Sequence, residues 1–107
     1  MRRGDVVTIA LQGDYGKPRP ALVVQSDLFD QHPSVTILPV TSALREAPLF
    51  RLDVPANAGN GLRAASQIMV DKAQTVPRDK VSRTIGHLDD GTLLAVDRAI
   101  ALFMGLA

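Results

Sequence analysis

Gly13-Asp14-Tyr15-Gly16-Lys17-Pro18-Arg19-Pro20 runs directly into Ala21-Leu22-Val23-Val24-Gln25, and this junction of turn and strand sets the reading of the chain. The glycines and Asp14 favour a turn. Each proline locks φ and pushes the residue before it toward extended backbone, so Lys17 and Arg19 enter the strand stretched out. The apolar, β-branched run that follows reads as a buried strand. Upstream, Val6, Val7, Ile9 and Leu11, with polar Thr8 and Gln12, read as a first strand, so the two pair as a hairpin across the loop. Arg19 is thereby held at a strand entrance, where its guanidinium can grip a phosphate through two parallel hydrogen bonds.

Working outward, Ser26-Asp27 caps one helical turn that His32-Pro33 stops. Val35-Thr36-Ile37-Leu38-Pro39-Val40-Thr41 then resumes as a third strand, with Pro39 at an edge or bulged position. A polar loop covers residues 42–48. Phe50-Arg51-Leu52-Asp53-Val54 alternates as a fourth strand, residues 56–61 form a turn cluster, and Ser66-Gln67-Ile68-Met69-Val70-Asp71 reads as a fifth strand. Residues 76–80 read as a turn, and Ile85-Gly86-His87-Leu88 as a short further strand. The clearest helix comes last: Asp89 caps it, Leu93, Val96, Ile100 and Phe103 recur at helical spacing, and Gly105 lies near its stop. Leu94, Ala101, Leu102, Met104 and Leu106 widen its apolar face, as deep packing or a second subunit would require. Short strands followed by one helix predict a mainly β domain, a small, strongly curved antiparallel sheet of barrel type with a C-terminal helix.

The 107 residues, 46% of them hydrophobic, fit one domain over 1–107 with one modest core. There is no cysteine, which removes disulfides and thiolate metal sites and fits a reducing, cytoplasmic setting. No apolar stretch approaches the roughly 20 residues of a spanning helix. Twelve basic residues against eleven acidic ones nearly cancel, so any nucleic-acid footprint must come from local clustering. The sequence has no histidine-rich or carboxylate-rich ligand cluster and no phosphate-binding loop of P-loop spacing, so metal hydrolysis and nucleoside-triphosphate chemistry lose support and no cofactor is expected.

Several segments in order, Arg3-Gly4-Asp5-Val6-Val7, Arg19-Pro20-Ala21-Leu22-Val23-Val24-Gln25-Ser26, Pro39-Val40-Thr41-Ser42, Gly61-Leu62, Ser66-Gln67 through Asp71, and Thr75-Val76, resemble the signature blocks of the MazF/PemK toxin endoribonucleases. The resemblance spans nearly the whole chain. It implies an SH3-like barrel with helices, a homodimer, metal-free cleavage of single-stranded RNA, and a cognate antitoxin whose acidic tail covers the same groove. It also implies catalytic roles for Arg19, which would hold the phosphate and stabilise transition-state charge, for Thr41, whose hydroxyl would bond the phosphate or the 2′-hydroxyl, and for Asp71 as general base or orienting group.

RNA binding needs a basic groove, for which Lys17, Arg45 and Lys72 join Arg19, with Lys80 and Arg83 further candidates. Aromatics are few, so base choice is expected to rest on hydrogen bonds from loop backbone and residues such as Gln67 and Gln74, while Ser42 adds a second donor beside Thr41 for RNA binding. The chain departs from the family pattern at Met69, where some relatives carry arginine, at Gln74, where a basic residue is common, and in a short first loop without histidine. His32 and His87 read as structural or exposed, which leaves the general acid and base unassigned; the expectation is a slower nuclease, a different cut-site preference, or reliance on Tyr15 or Lys17. Two alternatives stay open: a gyrase-poisoning toxin on the same barrel, which the tryptophan-free C-terminus weakens, and a non-catalytic RNA-binding or interaction module.

Overall fold

The structure, a computed structural model, describes residues 1–10 and 17–107; Leu11, Gln12 and the loop from Gly13 to Gly16, Tyr15 included, lie outside the described residues. Among the described residues, seven strands, β1 (Asp5–Ile9), β2 (Arg19–Val23), β3 (Ser34–Thr41), β4 (Arg51–Val54), β5 (Ser66–Met69), β6 (Gln74–Pro77) and β7 (Val81–His87), precede one α-helix, α1 (Asp90–Phe103). All pairings are antiparallel and run β4-β5-β3-β2-β1-β7, with β6 also on β3. The fold is thus mainly β with a C-terminal helix, as the sequence predicts, although the pairings among the described residues do not close into a ring.

β3 is the hub. One of its edges pairs with β2, and the other is shared in succession by β6, from Ser34↔Pro77 to Ile37↔Gln74, and by β5, at Val40↔Ile68 and Thr41↔Gln67. Pro39 falls in the gap between these partners, where its missing amide removes no ladder bond on that edge. Side chains alternate across β1, β2 and β3 into two cores. Val6, Leu22, Leu38 and Val40 pack with Val96 and Ala99 of α1, while Val7, Ala21, Val23 and Ile37 pack with Val76. Burial on both faces is why these strands read as continuous apolar runs rather than alternating ones.

The later strands differ from the sequence reading. β5 stops at Met69, and Asp71 lies in a 3-10 turn (Val70–Lys72) rather than on a strand end. Residues 74–77, partly read as turn, form β6, and β7 begins four residues before the predicted Ile85. Only Val76 of β6 is buried and the middle of β7 is exposed, so neither strand carries the apolar alternation that marks a strand locally.

Two glycines let the 57–62 turn lie on the backbone of β7. Gly61 has φ of 70°, and a Cβ there would stand 2.1 Å from the Ile85 carbonyl oxygen. A Cβ on Gly86 would stand 2.3 Å from the Asn60 carbonyl carbon. Buried Asn60 ties the turn together, donating to the Pro55 carbonyl at 2.8 Å and accepting from the Leu62 amide at 3.0 Å. At the far end Asp89 caps α1 as expected, its carboxylate accepting from the Thr92 amide at 3.0 Å. Among the described residues, no helix is long and apolar enough to cross a membrane.

Candidate active-site cleft

An open cleft of about 1010 Å³ lies where the entrance of β2, the end of β3, the 61–64 turn and β7 meet. The proline-flanked Arg19 is exposed at the first position of β2, paired with Ile9, so the extended backbone inferred from Pro18 and Pro20 presents it on the rim. Thr41 closes β3 and lines the same cleft. Its Oγ1 accepts a hydrogen bond from the Ala43 amide at 3.0 Å, which occupies a lone pair and leaves the hydroxyl proton available for a ligand. Ser42 stands beside it.

Lys17, Lys72 and Gln74, also expected from the sequence, line this cleft too. Arg83 of β7 and Arg63 complete the basic set. Arg63 was not a sequence candidate; its signal was a basic residue two positions beyond the Gly61 turn. Five cations therefore surround one cleft whose described lining contains no carboxylate and no imidazole. None of the five forms a salt bridge among the described residues. Such a concentration of one sign draws a polyanion and is a place where a net charge of +1 misleads.

Four sequence candidates do not line the cleft: Lys80, Gln67, Arg45 and Asp71. Gln67 is 5% exposed and its amide is fully used: Nε2 donates to the Arg45 carbonyl and to Asp53 Oδ1, both at 2.8 Å, and Oε1 accepts from the Arg45 amide at 2.9 Å. It has no donor left for a base, and its work is to hold the loop that follows Thr41. Arg45 is exposed outside the cleft, its backbone held by that amide. Asp71 turns its carboxylate to Arg51, whose Nε donates to Oδ1 at 2.8 Å and whose guanidinium Nη2 donates to Oδ2 at 3.1 Å. The Arg51 side chain is 4% exposed and that of Asp71 16%, so this is a two-pronged, largely buried ion pair. The two histidines also stand apart, His87 with its Nδ1 2.8 Å from Asp5 Oδ1 and His32 with Nδ1 accepting from the Ser34 amide.

The hydrogen bonds from Arg51 are the largest cause holding the Asp71 carboxyl below the ordinary carboxylate range; burial opposes them, and the charges of Arg51 and Lys72 add to them. A carboxyl whose folded value is depressed stabilises the fold fully above its unfolded pKa, about 3.9, and that contribution fades as pH falls through the lower folded value. The urea midpoint of the wild type is therefore expected to drop more steeply than that of Asp71→Asn between pH 5 and the acid limit, the two curves converging at the lowest pH. Parallel curves in urea titrations across this range would show that the pair contributes nothing to stability.

The family model of PemK-like, MazF-like toxins of type II toxin-antitoxin systems matches residues 2–104. A probable endoribonuclease MazF of Mycolicibacterium smegmatis is 43% identical over 108 residues, spanning 100% of this chain and 99% of its own. The endoribonuclease EndoA of Bacillus subtilis is 27% identical over 112 residues, spanning 99% and 96%. Among solved structures, the Mycobacterium tuberculosis toxin MazF-mt6 superposes with a TM-score of 0.80 at 29% identity, covering 96% of this chain and 98% of that one.

Proposed function

We propose, since the chain belongs to the family of PemK-like, MazF-like toxins of type II toxin-antitoxin systems, that its cationic cleft cuts single-stranded RNA. The protein is the endoribonuclease toxin of such a pair, and its action belongs in the cytoplasm, where messenger RNA is found. One observation carries the reading: Lys17, Arg19, Arg63, Lys72 and Arg83 share a cleft with the Thr41 hydroxyl, and no acidic side chain lines it among the described residues.

The chemistry follows from what these groups can supply. The 2′-oxygen of the ribose attacks the adjacent phosphorus and its proton leaves to solvent. The bond to the 5′-oxygen breaks and that oxygen takes up a proton, leaving a 2′,3′-cyclic phosphate and a 5′-hydroxyl. Negative charge gathers on the non-bridging oxygens as phosphorus becomes five-coordinate. Arg19 meets that charge with a fork of N–H donors, and Thr41 adds an O–H donor whose oxygen is held by the Ala43 amide. Catalysis in this reading is electrostatic, supplied by N–H and O–H donors that line the cleft. Asp71, whose carboxylate Arg51 occupies, is not assigned the proton transfer.

Partners follow from the same features. A cleft that binds phosphates also binds carboxylates, so the acidic tail of a cognate antitoxin would block it by occupying the same cations. Leu94, Leu102, Phe103, Met104 and Leu106 are all about half exposed or more on α1 and just beyond it, which suits a second copy of the chain. The test is direct. Purified protein incubated with end-labelled single-stranded RNA in EDTA should release fragments that end in a 2′,3′-cyclic phosphate. Intact RNA under these conditions, or fragments ending in a 3′-hydroxyl, would overturn the mechanism.

A further inference from the structure

The Arg51–Asp71 pair lies outside the cleft, yet the residues on either side of Asp71 lie within it. Met69 and Lys72 line the cleft, and between them Val70 is buried in the core while Asp71 is held by Arg51. The turn is therefore gripped twice from the side of β4, by the guanidinium of Arg51 and by the Phe50 carbonyl, which accepts from the Val70 amide at 3.0 Å. This is also the point where the chain passes from β5 to β6 along one edge of β3. Ladder bonds there are interrupted, so side-chain contacts must fix the backbone.

We infer that Arg51 is a positioning residue for RNA binding, acting through Asp71 to hold the 70–72 turn so that Lys72 engages a phosphate. The inference rests on the ribonuclease reading above. Two physical consequences support it. A lysine reaches a phosphate on a flexible four-carbon stem, so the reach of its ammonium depends on where its backbone is held. A carboxylate one residue away from that ammonium would, if released, pair with it or repel the phosphate; locked to Arg51, its charge is neutralised away from the cleft. The sequence spacing hides this arrangement, since Arg51 and Asp71 stand 20 residues apart.

The experiment is the salt dependence of binding to a single strand that cannot be cut, a labelled 2′-deoxy oligonucleotide, measured beside cleavage of the matching RNA. Each phosphate contact on a single strand contributes about 0.7 to the slope of log K against log salt. Lys72→Ala should lower the slope by about that amount. Asp71→Asn should do much the same with Lys72 still present, and adding Lys72→Ala to it should change little further. If Asp71→Asn fails to fold because Arg51 is left uncompensated, Arg51→Met/Asp71→Asn removes both charges together and keeps the comparison. Thermal melts of every variant separate lost structure from lost positioning. An unchanged slope in the folded variant, or a full additional loss on adding Lys72→Ala, would overturn the inference. Failure of the wild type to cut RNA would instead overturn the ribonuclease reading, and it is scored on a different measurement.

Discussion

Arg19→Ala is expected to lower the single-turnover rate of RNA cleavage by about 10²–10³-fold, the loss found when one donor aimed at developing oxyanion charge is removed. Proline on both sides restricts Arg19 to extended conformations, and its register opposite Ile9 keeps it at the mouth of the cleft. The backbone direction from which the guanidinium reaches the cleft is thereby set before substrate binds. Because Arg19 is exposed, its truncation should shift stability by no more than about 0.5 kcal/mol, so the loss of rate is read against an unchanged thermal melt. Arg19→Lys keeps the charge and loses the fork, and should recover only part of the rate. A rate within twofold of wild type for Arg19→Ala would remove Arg19 from the reaction.

Raising the salt concentration from 50 to 200 mM should weaken binding to single-stranded nucleic acid by about 100-fold. Five cations, each releasing counterions from one phosphate, give a slope near −3.5 at about 0.7 per contact. Arg63→Ala and Arg83→Ala should each flatten the slope by about 0.7, and Arg45→Ala, whose residue lies outside the cleft, should leave it unchanged. This separates cations that share the cleft from those that merely populate the surface. Affinity that is insensitive to salt would show that the cluster does not hold the strand. Base contacts would then have to supply the binding energy, a demand that a chain with one tyrosine and three phenylalanines is poorly built to meet by stacking.

The local devices of the fold were legible. β-branched runs marked β2 and β3, Asp89 marked the start of α1, and the prolines around Arg19 marked a strand entrance. β6 and most of β7 were not, because an exposed strand held by backbone ladders needs no apolar alternation. Among the candidates, Arg19, Thr41 and Lys72, singled out by type and place in the chain, line the cleft. Gln67 has the same chemistry as a base-reading residue, and only its three hydrogen bonds to Arg45 and Asp53 reveal that its amide is already used.

What the amino-acid sequence determined by itself is what neighbouring residues determine: backbone stiffness at 17–20, the cap of the helix, the apolar strands and the overall near-neutral charge. The tertiary structure alone decided which cations meet in one cleft and which polar groups are spent on one another. Arg83 shares the cleft with Arg19 because β1 pairs with both their strands, Arg63 joins them because two glycines let a turn lie against β7, and Asp71 is claimed by an arginine 20 residues away. Electrostatic attraction and hydrogen bonding depend on distance in space, and chain spacing does not set that distance until the sheet has curled.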